Sequence, residues 1–115
     1  MDMDCLFCKI ADGSIPSEVV HRDNDLVAFR DIRPQAPVHI LIIPTRHIET
    51  VLDLKEEDDR LLGKMVMLAN RLAKDEGIAE DGFRLVLNCK RHGGQEVYHI
   101  HLHLLGGRAM GWPPG

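Results

Sequence analysis

The sequence predicts an α+β fold, a five-stranded, mostly antiparallel sheet with one long helix across a face. Three observations predict it. Short apolar runs are separated by turn-forming residues, a single long segment has helical periodicity, and 115 residues with 44% hydrophobic and 28% charged content suit one domain over residues 1–115. A chain of this size buries about two thirds of its unfolded surface and needs no disulfide to do so.

The chain opens with a short apolar turn, Leu6 to Ile10, ending at Gly13. Glu18 to Arg22 and Leu26 to Arg30 flank the turn-rich triplet Asp23-Asn24-Asp25 and read as a β-hairpin. Pro34 and Pro37 break the chain. Val38 to Ile43, apolar, β-branched and stopped by Pro44, has the pattern of a strand buried on both faces. From about Leu54 to Glu76, Leu61, Met65, Leu68 and Leu72 form one helical stripe. Asp53 with Glu56 would cap this helix, Glu57, Asp58 and Asp59 would complement its dipole, and Gly77 would stop it. The alternating run Phe83 to Cys89, a loop around His92-Gly93-Gly94-Gln95, and Tyr98 to Leu105 supply the last two strands.

Charge narrows the function. Fourteen Lys and Arg against 18 Asp and Glu give a net charge of −4 with no basic run, whereas a nucleic-acid binder needs a concentrated basic face. No apolar stretch approaches the roughly 20 residues of a membrane span, and Met1 to Lys9 lacks the basic start and apolar middle of a signal peptide. A cytoplasmic protein without nucleic-acid or membrane partners is expected. Cys5 and Cys8 form a C-x-x-C pair remote from Cys89, a pattern for a reducing compartment with metal or redox chemistry open at the pair.

Seven histidines are unusual, and His99, His101 and His103 fall within five residues. On a strand they share one face while Ile100, Leu102 and Leu104 take the other. The outer two would lie about 13 Å apart, too far for three bonds of about 2 Å to one ion. An H-x-H metal half-site and a merely solvated polar face stay open. A row of neutral imidazoles otherwise offers a nucleophile or base with neighbouring donors for an anion, and mutual repulsion keeps the central ring from protonating. Gly93-Gly94 would let backbone N–H groups approach an oxyanion, and Asn88 adds a side-chain amide.

His99-Ile100-His101-Leu102-His103-Leu104-Leu105 resembles the H-φ-H-φ-H-φ-φ motif (φ hydrophobic) of the histidine triad family of nucleotide hydrolases and transferases. Cys5 to Ile10, Asp31-Ile32 with Pro34 to Pro37, Ile42 to Pro44, Gly93 to Gln95, and Gly106 to Arg108 through Trp112 to Gly115 are similar to its nucleoside phosphoramidase branch. The likeness covers nearly the whole chain. It implies a short N-terminal helix, a homodimer joined through the long helix and the Phe83 to Cys89 strand, and hydrolysis of P–N bonds in purine nucleotides (AMP or GMP derivatives). His101 would be the nucleophile, His99 and His103 its partners and His47 a supporting histidine. Asn88 and Gly94 would contact the α-phosphate and Asp31 the ribose. Leu6, Phe7, Ile10, Phe29 and Ile32 would enclose the purine, and Gln95, Glu96 and the tail residue Trp112 would complete the substrate site. Glu96 stands where many members of the branch carry serine. No catalytic cofactor is implied; a structural zinc on Cys5, Cys8, His47 and His99 is. Alternatives are a dinucleoside polyphosphate hydrolase of the same family, a nucleotide-binding interaction protein without turnover, and a zinc hydrolase.

Overall fold

The computed structural model describes residues 4–115, so the first three residues of the Met1 to Lys9 segment lie outside it. Helix α1 (Leu6–Ala11) precedes strands β1 (Val19–Arg22), β2 (Leu26–Arg30) and β3 (Val38–Pro44). Helix α2 (Asp59–Asp75), strand β4 (Phe83–Val86), the single turn α3 (Lys90–Gly93) and strand β5 (Leu102–Gly106) complete the chain. The sheet order is β1-β2-β3-β5-β4, and every ladder is antiparallel. No helix among the described residues is long and apolar enough to cross a membrane.

Both faces of the central strands are covered. Ile40, Ile42, Leu102 and Leu104 meet Met65, Leu68 and Leu72 of α2 on one side, and Leu41, Ile43, Val27 and Phe29 meet Phe7, Cys8 and Ile10 of α1 on the other. Each such large side chain, once buried, stabilises the fold by about 1.5–3 kcal/mol before entropy is counted. The doubly buried strand expected at Val38 to Ile43 is β3. The histidine side of β5 is the side that α1 caps, so it is not a solvated face.

Three boundaries differ from expectation. The long helix begins at Asp59, not Leu54. Thr50 and Asp53 cap one another around a 3-10 turn, Val51–Asp53, and Asp58 accepts the Lys55 N–H across a second, Glu56–Asp58. Asp53 therefore spends its carboxylate on Thr50 rather than on α2. At the other end, Gly77 takes φ 75, the left-handed conformation that glycine adopts without strain. Strand β4 ends at Val86, short of Cys89. Strand β5 begins at Leu102, because the Ile100 N–H donates to Ile48 O (2.7 Å) instead of joining the ladder.

Candidate active site

Two histidines sit side by side with opposite offerings. His101 leads into β5 and is 7% exposed, its ring 4.9 Å from that of His103 and in edge contact with Phe7 at 5.0 Å. Its Nδ1–H donates to His99 O at 2.8 Å, which leaves Nε2 as the lone-pair nitrogen. Burial lowers the pKa of His101, against the opposing influence of Asp31 and Glu96. His103 is held in the other tautomer. The Gln35 N–H donates to His39 Nδ1 (3.0 Å), so His39 carries its proton on Nε2 and donates to His103 Nδ1 (2.9 Å). The His103 proton then lies on Nε2, the only buried side-chain N or O atom among the described residues with no hydrogen-bond partner. Burial, followed by the neighbouring rings of His101 and His39, pushes its pKa down to about 4. The result is a neutral nucleophile next to an unsatisfied N–H.

His39 is the site residue that sequence reading missed. One signal was present: a histidine inside a run buried on both faces needs a polar partner. Asp31 Oδ2 lies 3.5 Å from His39 Nε2, so Asp31, His39 and His103 bring potential metal ligands within 4.8 Å. The hydrogen bonds decide against an ion there. Metal on His39 Nε2 would move its proton to Nδ1, against the Gln35 N–H, leaving two donors face to face.

A second cluster gathers Cys5, Cys8, His47 and His99, with ligand atoms within 4.8 Å of one another. Cys5 caps α1, its Sγ accepting the Cys8 N–H at 3.3 Å. His99 Nδ1 lies 3.4 Å from Cys5 Sγ and 3.5 Å from Cys8 Sγ, and His47 Nδ1 lies 3.3 Å from Cys8 Sγ. Bonds of about 2.3 Å to sulfur and about 2.0 Å to nitrogen at tetrahedral angles set neighbouring S and N about 3.5 Å apart, so the four residues fit a metal of that geometry. His99 is 0% exposed, and its Nε2–H donates to Pro44 O (2.8 Å), an outer hydrogen bond that fixes the ring of a ligating histidine. With both nitrogens committed, His99 meets His101 through its backbone carbonyl.

A family model described as the C-terminal binding region of the scavenger mRNA decapping enzyme matches residues 4–111. The purine nucleoside phosphoramidase of Escherichia coli strain K12 is 56% identical over 111 residues, 96% of this chain and 93% of that protein. The crystal structure of a HIT family hydrolase from Legionella pneumophila superposes with TM-score 0.96 at 60% identity, covering 97% of this chain and all of that one. The chain belongs to the histidine triad family. A Zn-bound histidine triad protein from Mycobacterium smegmatis has TM-score 0.80 at 31% identity, covering 92% of this chain and 76% of that one.

Around the histidines, this histidine triad protein places its other candidate residues unevenly. Phe7, Phe29 and Ile10 are buried, with Phe7 and Phe29 in edge contact at 5.4 Å. These three pack in one apolar cluster, while Leu6 (46% exposed) and Ile32 (89%) are open to solvent. Asp31 follows β2, with Oδ1 accepting the Arg33 N–H at 2.8 Å. Asn88 is half-buried beyond β4. Gly94 ends α3 at φ 77, and its N–H donates to Arg91 O at 3.1 Å, so the turn itself uses that amide. Gln95 is buried; it accepts the Lys90 N–H (2.9 Å) and donates to Glu49 O (2.7 Å) and Val97 O (3.1 Å). Its side chain clamps the loop, with both N–H donors used inside the protein. Glu96 is exposed. Trp112 is 83% exposed on a tail tied back by Arg84 to Gly111 O and by Arg108 to Gln35 O, at 2.8 and 3.0 Å. Away from all of these, an open depression of about 430 Å³ is lined by His21, Asp23, Asp25, Lys64 and Arg71. There Lys64 pairs with Asp25, and Arg71 with His21, leaving no comparable reactive set.

Proposed function

We propose that this chain is a purine nucleoside phosphoramidase that hydrolyses nucleoside 5′-phosphoramidates through a nucleotidyl-His101 intermediate. The observation that carries the reading is the pairing of a lone-pair His101 Nε2 with the unpartnered His103 Nε2–H, and the 56% identity to a protein of that name supports it. In the first step His101 Nε2 bonds to phosphorus as the P–N bond to the amine breaks, the amine nitrogen keeping the electron pair and taking a proton from solvent. In the second, water bonds to phosphorus and gives a proton back to solvent, the P–N bond to His101 breaks with its electron pair returning to Nε2, and a nucleoside monophosphate departs. The His103 N–H stabilises the charge that spreads over the phosphoryl oxygens, a contribution of about 3 kcal/mol for such donors. His39 keeps that N–H in place, Asn88 adds a side-chain donor, and Asp31 binds the ribose.

Cys5, Cys8, His47 and His99 hold a structural zinc in this reading. The ion would cross-link α1 to the segments bearing His47 and His99. The protein acts as a cytoplasmic homodimer of single-domain subunits. Strand β4 at the sheet edge and the exposed Val66 and Met67 of α2 supply faces for a twofold partner, toward whose site the Trp112 tail extends.

The test is incubation with adenosine 5′-phosphoramidate and quenching for the adduct. Wild-type protein should turn over and carry AMP on His101. The His101→Ala variant should lose the adduct and several orders of magnitude in rate, because the two-step route is gone. An adduct on another histidine would overturn the mechanism.

A further inference from the structure

We propose that Arg108 is a positioning residue for the phosphoryl-transfer site: by holding Gln35 O it keeps the Gln35 N–H on His39 and so fixes which nitrogen of His103 carries the proton. The inference rests on the phosphoramidase reading above for its effect on rate, while its effect on the imidazoles stands apart from any substrate. The ladder explains how a tail residue reaches this far. Val38 at the start of β3 pairs with Gly106 at the end of β5, so the residues that leave β5 run back beside the loop that precedes β3. Gly107 turns there at φ 89, and a Cβ on it would lie 2.9 Å from Pro37 Cβ. The tail is pressed against the loop, and the Arg108 Nε–H donates to Gln35 O at 3.0 Å.

Gln35 is the joint between tail and site. Pro34 and Pro37, on either side of Gln35-Ala36, have no N–H with which to tie the loop down, and Gln35 itself is exposed. Its two backbone groups are used in opposite directions, the C=O outward to Arg108 and the N–H inward to His39 Nδ1 at 3.0 Å. Two proton arrangements compete along the histidines. In the first, the His39 Nε2–H donates to His103 Nδ1 at 2.9 Å, and the His103 proton sits on Nε2. In the second, both rings change tautomer, the His103 Nδ1–H donates to His39 Nε2, and His103 offers a lone pair where an anionic phosphoryl oxygen would lie. The second also sets a His39 Nδ1–H against the Gln35 N–H and turns the His39 Nε2 lone pair toward Asp31 Oδ2, 3.5 Å away. Asp31 and the Gln35 N–H therefore both favour the first arrangement, and the share that Gln35 supplies lasts only while its backbone is held.

Arg108→Gln and Arg108→Met separate the hydrogen bond from the charge, because both remove the guanidinium while the glutamine amide N–H stands where the arginine Nε–H does. Two readouts are needed. Long-range proton–nitrogen NMR spectra of the protein without substrate give the tautomers of His39 and His103, and steady-state kinetics with adenosine 5′-phosphoramidate give kcat and kcat/KM. Wild type and Arg108→Gln should show both rings protonated on Nε2. Arg108→Met should show mixed tautomers at the two rings, with kcat and kcat/KM lowered together by roughly threefold to tenfold, the worth of one hydrogen bond that counts in the transition state. A merely structural arginine would leave the tautomers unchanged. The proposal is overturned by a wild type already mixed, by Arg108→Met with wild-type tautomers or an unchanged kcat, or by Arg108→Gln behaving as Arg108→Met does. Wild-type protein inert toward the phosphoramidate overturns the activity and the effect on rate, and the spectra of Arg108→Met then decide the hold on the tautomers by themselves.

Discussion

Lowering the pH from 7 to 5 probes the buried imidazoles directly, and His103 makes the effect calculable. In the folded protein its pKa is about 4 against an ordinary 6.5, chiefly because burial penalises the cation and secondarily because His101 and His39 lie beside it. A folded pKa below the unfolded one means that the unfolded chain binds more protons between those values. The stabilisation is therefore complete above about pH 6.5 and is lost as the pH falls toward 4. At pH 5 the two pKa values correspond to about 2 kcal/mol, and solvent reaching a ring that is only half-buried reduces this to about 1 kcal/mol. The assay is urea denaturation at both pH values for wild type and for His103→Asn, whose amide oxygen can still accept from His39. The wild type should lose about 1 kcal/mol more than the variant between pH 7 and pH 5. Equal losses would show that His103 titrates normally in the folded state and would refute the burial argument.

Two further outcomes follow from contacts elsewhere. Protein purified without chelator should contain about one zinc per chain, and Cys8→Ser well under one. At free zinc a hundredfold above Kd the wild type should then gain about 3 kcal/mol of stability that the variant lacks, as metal analysis and melting would record. A methyl group on Gly106 would meet Ile78 Cβ and Cγ1 at 3.1 and 3.2 Å, with Cδ1 nearer still. Rotating Cδ1 away cannot relieve Cβ, so Gly106→Ala should cost about 1–3 kcal/mol. The cost should fall below about 1 kcal/mol in an Ile78→Ala background, where additive effects would contradict the packing.

What could be read from the sequence was whatever a local pattern specifies. Asp23 closes the β1–β2 hairpin by accepting from the Asp25 and Leu26 amides, the chemistry for which turn residues are recognised. The C-x-x-C pair and two distant histidines converge as expected, because thiolates at that spacing on one helical turn leave few alternatives. Misplaced boundaries came from side chains whose partners are not in the periodicity. Residues 54–58 are rich in helix formers, yet the Lys55 N–H is taken by Asp58, and the chain makes two 3-10 turns before α2. Gln95 stands in a glycine-rich loop that looks built for a phosphate, and only the fold shows its amide turned inward to Glu49 and Val97. His39 was passed over for the opposite reason: its neighbours in β3 are so apolar that it reads as core, although a histidine buried there needs a polar partner.

The spacing of the histidine row itself acquires a different meaning once β5 is seen to start at Leu102. A regular strand through residues 99–103 would present three equivalent rings to one ligand, and equivalent rings would compete for the same proton. Departure from the ladder at Ile100 lets His99 turn its Nδ1 to the thiols and its Nε2–H to Pro44 while its carbonyl still reaches His101 Nδ1. The three imidazoles thereby end with three different hydrogen-bond assignments. One is committed to the thiol cluster, one has a free lone pair, and one has a free N–H whose tautomer is set from the far side by His39. Each assignment depends on a backbone group, His99 O, Pro44 O or Gln35 N–H. Backbone groups hold their positions without side-chain entropy to lose, which is what the proposed two-step phosphoryl transfer would ask of the groups that hold a nucleophile and a donor a few ångströms apart.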